Sequence, residues 1–334
     1  MAAQQSYRLF NITLARRTQV GASLVRFTFT GPDVSQMATY APDQRVKLFF
    51  PEGGSSLAPL FGLSHHEMQD WYSAYRALPE NQRPLMRTYT IRALRPAQAE
   101  VDIEFVLHGD TGPASRWAMG ASPGDQLAMA APAANAQGPT LGYEWKPPQN
   151  VRRILIIADE TALPAAAGIL ETLDDLPFKP KVEALFEVPR SGDVQPLSRN
   201  AKLRWLARDT EHDCQHGALL LRALRDIDLQ QEIAALGGNP KATGKNGDGD
   251  GGSDDERSHG ELSQDEPSQD ELGQDENAPL WESATLDDSA PFYAWIAAET
   301  KVAMKLRRYL VNECGLPKQY VTSMGYWRLG KASS

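Results

Sequence analysis

Arg153-Ile154-Leu155-Ile156-Ile157-Ala158 is apolar without interruption from Ile154 onward, as a strand covered on both faces requires. A helix is predicted from about Leu163 to Leu173, and a second strand at Lys181-Val182-Glu183-Ala184-Leu185-Phe186. Strand, helix, strand in that order is the βαβ signature of a parallel sheet. Downstream, His216 to Leu236 reads as helical, Tyr293-Ala294-Trp295-Ile296-Ala297 as a further buried strand, and Glu299 to Cys314 as a helix. In that last helix Val302, Leu306, Tyr309 and Leu310 share one face, while Lys301, Lys305 and Arg308 share the other. Gly315 is placed to cap it.

Upstream the rhythm is different. Leu24-Val25-Arg26-Phe27-Thr28-Phe29, Arg45-Val46-Lys47-Leu48-Phe49-Phe50, Arg87-Thr88-Tyr89-Thr90-Ile91-Arg92 and Val101-Asp102-Ile103-Glu104-Phe105-Val106 are short runs rich in β-branched and aromatic residues. Gly31-Pro32, Pro51-Glu52-Gly53-Gly54 and Pro123-Gly124-Asp125 divide them. Strands at this spacing predict a barrel or a sandwich. The segment from Pro59 to Pro84 interrupts them, with Trp71, Tyr72 and Tyr75 in a short predicted helix.

A length of 334 residues favours two domains. The expected division is 1–147 and 148–334, the second interrupted by an acidic insertion over 238–279. There Gly, Asp, Ser, Asn and Glu dominate, and Gln-Asp-Glu recurs at 264, 269 and 274. Such a stretch holds too little apolar area to offset the entropy of ordering it. It is read as a solvated insertion, with an acidic docking arm or a metal-binding loop as the functional alternative. It also carries the net charge of −9: between Asp248 and Glu276 acidic residues far outnumber the single Arg257, so the rest of the chain is slightly basic and suited to an anionic ligand. No apolar run approaches the roughly 20 residues that span a bilayer. The first residues carry no apolar signal core, so a cytoplasmic location is expected. Cys214 and Cys314 are the only cysteines. They are too few for an iron–sulfur cluster or a structural zinc, so redox chemistry would have to come from an organic cofactor.

Two clusters point to such a cofactor. On a strand, Arg87, Tyr89 and Ile91 face one way, and Thr88, Thr90 and Arg92 the other. Tyr can stack on a ring system, Thr can hydrogen-bond its edge, and Arg can pair with phosphate. A basic, aromatic edge strand accounts for the same residues. The second cluster is His108-Gly109-Asp110-Thr111-Gly112-Pro113-Ala114-Ser115-Arg116-Trp117-Ala118. It follows a strand and opens a helix at Pro113, where free N–H donors suit a pyrophosphate. A plain Gly-rich connection is the alternative.

These two clusters and the ending Gly325-Tyr326-Trp327-Arg328-Leu329-Gly330 together resemble the siderophore-interacting protein family, a branch of the ferredoxin–NADP reductase-like flavoproteins. The resemblance covers nearly the whole chain apart from the Pro59–Pro84 segment and the acidic insertion. It implies an antiparallel Greek-key β-barrel that binds FAD, followed by an α/β domain with a parallel sheet for a nicotinamide nucleotide. By motif, Arg87, Thr88, Tyr89, Thr90 and Arg92 would hold the flavin and its phosphates. Gly112, Ala114 and Ser115 would supply pyrophosphate donors, and His108 would lie near the FAD. The turn Asp159-Glu160-Thr161-Ala162-Leu163-Pro164-Ala165 resembles the family's strand-to-helix turn, where Asp159, Thr161 and Ala162 would meet NADPH or NADH. It contains no GxGxxG, so it is no ordinary Rossmann fingerprint. Tyr326 and Trp327 would return to the flavin region, and Lys47 and Arg328 would face the substrate. Arg190 and Arg208 are the residues placed to reach a 2′-phosphate.

The implied activity is an NAD(P)H-dependent, FAD-mediated reduction of a ferric siderophore, with no side-chain nucleophile or resident metal. The family's partners would be the chelate and a ferredoxin as another donor; neither nucleic acid nor membrane is implied. Where some members carry a basic residue after Gly-Pro, this chain reads Ala131-Pro132-Ala133-Ala134. That weakens the case for triscatecholates and leaves hydroxamate or mixed chelates open. A flavin reductase with another acceptor (ferredoxin, quinone or free flavin) and a non-catalytic flavin- or chelate-binding protein remain alternatives.

Overall fold

The computed structural model describes residues 7–51, 55–63, 71–107, 109, 112–136, 140–237, 281–286 and 288–330. The acidic stretch 238–279 and His108 lie outside the described residues. Strands β1 (Tyr7–Gln19), β2 (Leu24–Thr30), β3 (Arg45–Phe50), β4 (Leu85–Arg95), β5 (Glu100–Val106) and β6 (Gln126–Pro132) close a barrel in the order β1-β2-β5-β4-β3-β6. Every pairing in it is antiparallel. Between β3 and β4 lie the short helices α1 (Ala58–Leu63) and α2 (Trp71–Ala77). Helix α3 (Pro113–Gly120) joins β5 to β6 and sends Trp117 against Phe27, Phe29, Phe50 and Phe105. All four phenylalanines are fully buried, so truncating one to Ala would cost about 3–5 kcal/mol.

The second half is β7 (Arg153–Asp159), α4 (Leu163–Asp174), β8 (Lys181–Val188), β9 (Lys202–Ala207), α5 (Ala218–Arg225), α6 (Gln230–Ala235), β10 (Trp281–Glu282), β11 (Phe292–Glu299), α7 (Thr300–Arg308) and β12 (Val321–Trp327). The sheet order is β10-β12-β11-β7-β8-β9, parallel throughout except for β10, which runs antiparallel to β12. The two-domain α+β expectation, a barrel followed by a helix-covered parallel sheet, therefore holds.

Two details differ from the sequence reading. The helix expected over His216–Leu236 is two helices. α5 stops at Asp226, and the Asp228 carboxylate accepts from Gln230 N–H at 3.0 Å, restarting the turn as α6. An Asp that bonds its own neighbourhood competes with a continuous helix. The helix ending at Cys314 finishes in a π-turn over Tyr309–Glu313, with Cys314 N–H on the Tyr309 carbonyl, before Gly315 turns left-handed at φ +83°.

Barrel and sheet meet through specific contacts. Arg92 of β4 pairs with Glu171 of α4. Asp193 accepts from Ser23 N–H at 2.5 Å. Asp43, buried in the barrel, accepts from the Glu144 and Trp145 N–H groups at 2.8 and 2.9 Å. Burial pushes its acid up to about 6, against the two amides and Arg45.

Candidate functional site

The register of β3 on β4 sets the first wall. Arg45 stands opposite Thr90, and Lys47 opposite Thr88. Residues facing each other across an antiparallel pair share a face, so these four point one way while Val46, Leu48, Tyr89 and Ile91 point the other. Lys47 Nζ donates to Thr88 Oγ at 2.6 Å. Burial, reinforced by the Arg45 charge, holds the Lys47 ammonium below the usual lysine range. Arg45 stacks on the Trp281 ring at 3.7 Å and reaches Glu144 at 3.2 Å. Its other terminal nitrogen, Nη1, is buried with no partner among the described residues.

The sheet supplies the opposing wall. Tyr326, near the end of β12, lies between Trp281 and Trp295, each ring 6.4 Å away. Its hydroxyl is buried near Thr90 but makes no aligned hydrogen bond among the described residues, and burial raises its acid. Tyr326 and Arg45 thus bring two unsatisfied polar atoms into one seam between barrel and sheet. Buried polar groups are nearly always paired, which makes these two atoms candidates to meet the polar edge of a ligand.

Tyr89 belongs to the other face, with its ring 4.3 Å from Phe105 and 6.2 Å from Phe50. Beside it Arg87 donates to the Met86 carbonyl at 2.8 Å. Arg92, expected among the phosphate ligands, is instead held between Glu171 and Glu104. It bridges barrel and α4 at the β-bulge between Ile91 and Ala93.

Helix α3 has an open start. Gly112 is its N-cap and offers no side-chain acceptor, and Pro113 occupies the first turn. The N–H groups of Ala114 and Ser115 therefore lack intrahelical partners. Among the described residues, a Cβ built on Gly112 would meet nothing within 4 Å. Helix N–H donors without intrahelical partners suit a diphosphate, and the seam at Tyr326 and Arg45 suits the polar edge of a ring. The residues present therefore suit FAD.

At the carboxyl ends of the parallel strands Asp159 is a hub. Oδ1 accepts from Thr161 N–H and Oγ–H at 2.9 and 2.5 Å, and Oδ2 from Glu299 N–H and the Trp327 indole at 2.7 and 2.8 Å. Burial first, then the Glu160 charge, pushes its acid up to about 7. Asp159 and Ala162 are buried, so they shape the turn, while Thr161 is half-buried. Trp327 turns away from the seam and meets His216 edge-on at 5.1 Å. Arg328 is half-buried just past β12.

Arg208, expected to reach a 2′-phosphate, is already engaged. It forms a two-pronged pair with Glu160 at 2.6 and 3.0 Å and a further bond to Glu187 at 3.0 Å. Glu187 in turn accepts from Gly217 and Leu220 N–H, holding the start of α5. Sequence reasoning missed Arg45, Trp281, Glu171 and Glu187. The alternation Arg45-Val46-Lys47 could have revealed Arg45, since both basic residues must share a strand face. Nothing local marks Trp281, which follows the long polar stretch.

Residues 13–136 match the siderophore-interacting FAD-binding domain, and residues 151–330 match the siderophore-interacting protein domain. The chain is 28% identical over 230 residues to the ferric vibriobactin reductase ViuB of Vibrio cholerae, covering 67% of this chain and 75% of that one. It is 31% identical over 206 residues to the NADPH-dependent ferric-chelate reductase of Escherichia coli K12, covering 61% and 73%. Among solved structures, the siderophore-interacting protein SipS from Aeromonas hydrophila superposes with a TM-score of 0.61 at 24% identity, over 98% of this chain and 94% of that one. The ferredoxin reductase in carbazole 1,9a-dioxygenase gives 0.53 at 10% identity, over 96% and 70%. These last two show a shared fold.

Proposed function

The chain belongs to the siderophore-interacting protein family, and from that premise we propose that it is an FAD-dependent, NAD(P)H-driven reductase of ferric siderophores. The observation that carries this is the seam itself. A barrel face bearing Arg45, Lys47, Thr88 and Thr90 meets Tyr326 and Trp281 of the sheet, and the same barrel carries α3, whose first N–H groups have no intrahelical partners. The reductases this chain resembles point the same way.

In this reading the Ala114 and Ser115 N–H groups, with Arg87, hold the diphosphate. Thr88, Thr90 and Tyr326 orient the ring edge, and Tyr89 supplies an aromatic neighbour. Bound FAD would take two electrons from a nicotinamide as hydride and release them singly, as iron requires. Lys47 and Arg45 place positive charge where an anionic chelate docks. Asp159 pins Trp327, and with it the end of β12, so Tyr326 stays against the barrel. Hard oxygen donors bind Fe(III) far more tightly than Fe(II), so one electron loosens the chelate. No helix among the described residues is long and apolar enough to cross a membrane, and we place the reaction in the cytoplasm. The test is purification followed by flavin absorbance and NAD(P)H-dependent trapping of Fe(II) from a ferric siderophore. A colourless protein that traps no iron would end the proposal.

A further inference from the structure

Carboxylates gather beside the arginines at the carboxyl edge of the sheet. β7 lies mid-sheet, with β8 and β9 on one side and β11 and β12 on the other. The strand order therefore reverses between β7 and β11, and in open α/β sheets a dinucleotide binds outside the carboxyl ends at such a point. The half of the nucleotide that carries the 2′ position then lies toward the ends of β8 and β9. In such folds an acidic side chain there takes a ribose hydroxyl, whereas a free arginine takes a 2′-phosphate.

Here Arg208, Arg190 and Arg222, the arginines closest to that edge, each face a carboxylate, Arg222 by an exposed pair with Glu211. Arg208 has given both terminal nitrogens to Glu160 and Glu187, with side chains only 11%, 8% and 0% exposed. Recruiting it to a phosphate would strip the buried Glu160 and Glu187 carboxylates of the cation they share, which is strongly unfavourable. Arg190, exposed just past β8, lies within the field of Asp209. Asp209 is itself fixed at the rim. Its carboxylate accepts from Ser191 N–H at 3.0 Å and Ser191 Oγ–H at 2.8 Å, and these bonds, with the Arg190 charge, hold its acid below the usual carboxylate range. It thus offers an exposed, ionised acceptor at the end of β9.

We propose that the donor accepted here is NADH rather than NADPH, with Asp209 the residue that takes the ribose hydroxyl and repels a 2′-phosphate. This rests on the reading of the crevice as the nicotinamide-nucleotide site, and it departs from the NADPH dependence of the Escherichia coli relative. A 2′-phosphate adds about two negative charges, so discrimination of about tenfold or more is expected.

The test uses the full-length flavin-loaded protein and two probes, 5′-AMP and 2′,5′-ADP, titrated by calorimetry at fixed ionic strength. Wild type should bind 5′-AMP about tenfold more tightly, and Asp209→Asn should erase most of that preference by strengthening 2′,5′-ADP. Asp209 is exposed, so the variant should fold, and circular dichroism checks that it does. Tighter binding of 2′,5′-ADP by wild type, or an unchanged ratio in Asp209→Asn, would overturn the inference alone. If neither probe binds, the nucleotide site itself is misplaced and both readings fall.

Discussion

Replacing Asp159 with Asn asks whether the end of β7 is held by two side-chain oxygens that can both accept. The carboxylate takes four hydrogen bonds, two on each oxygen, from Thr161, Glu299 and Trp327. Asparagine keeps one oxygen, and its NH2 group must then face two donors. Each buried donor left unpaired costs about 1–3 kcal/mol, giving a loss of about 2–6 kcal/mol. At about 2–4 °C per kcal/mol for a domain of this size, melting should fall by roughly 5–20 °C. The readout is thermal unfolding followed by far-UV circular dichroism, with bound flavin measured in parallel. The linked pH dependence has a definite sign. The folded protein keeps a proton on Asp159 up to about pH 7, whereas an ordinary aspartate releases it near 3.8. Stability contributed at this site is therefore complete below about pH 4, falls as pH rises toward 7 and levels off above it. Asp159→Asn should lack that slope. A variant melting within about 2 °C of wild type, with the same pH profile, would refute the hub.

Arg92→Ala should lower stability by about 1–3 kcal/mol while leaving FAD content unchanged, because its partners are Glu104 and Glu171. Loss of flavin at unchanged stability would make it a phosphate ligand after all. Gly112→Asp meets no described atom at its Cβ but sets a carboxylate at the helix start, so the FAD dissociation constant, read by flavin fluorescence, should rise by about tenfold or more. Lys47→Gln should raise the KM for an anionic ferric chelate by about tenfold with little change in kcat, and added salt should shrink the difference in steady-state assays.

How far the fold was legible depended on the range of the signal. The apolar run at 154–158 and the helix behind it announced the parallel sheet, since burial on both faces leaves no alternation. Trp71, Tyr72 and Tyr75 do form a short helix, α2. The motif Gly112-Pro113-Ala114-Ser115 marked a helix start because Pro and small residues act locally. The roles of individual arginines were less legible. Arg87, Arg92 and Arg208 read alike as cations beside a phosphate. Yet Arg92 finds Glu171 79 positions away, and Arg208 finds Glu160 48 positions away.

The chain alone thus determined which segments are strands, which are helices, and that a barrel precedes a helix-covered sheet, because periodicity and turn chemistry act over a few residues. Only the tertiary structure decided which charges are spent inside the protein and which remain for a ligand. Trp327 meets Asp159 across 168 positions, and Arg45 meets Trp281 from beyond the whole acidic stretch. Such pairings follow from strand order and packing, which bring distant side chains into a low-dielectric seam where an unpaired group is costly.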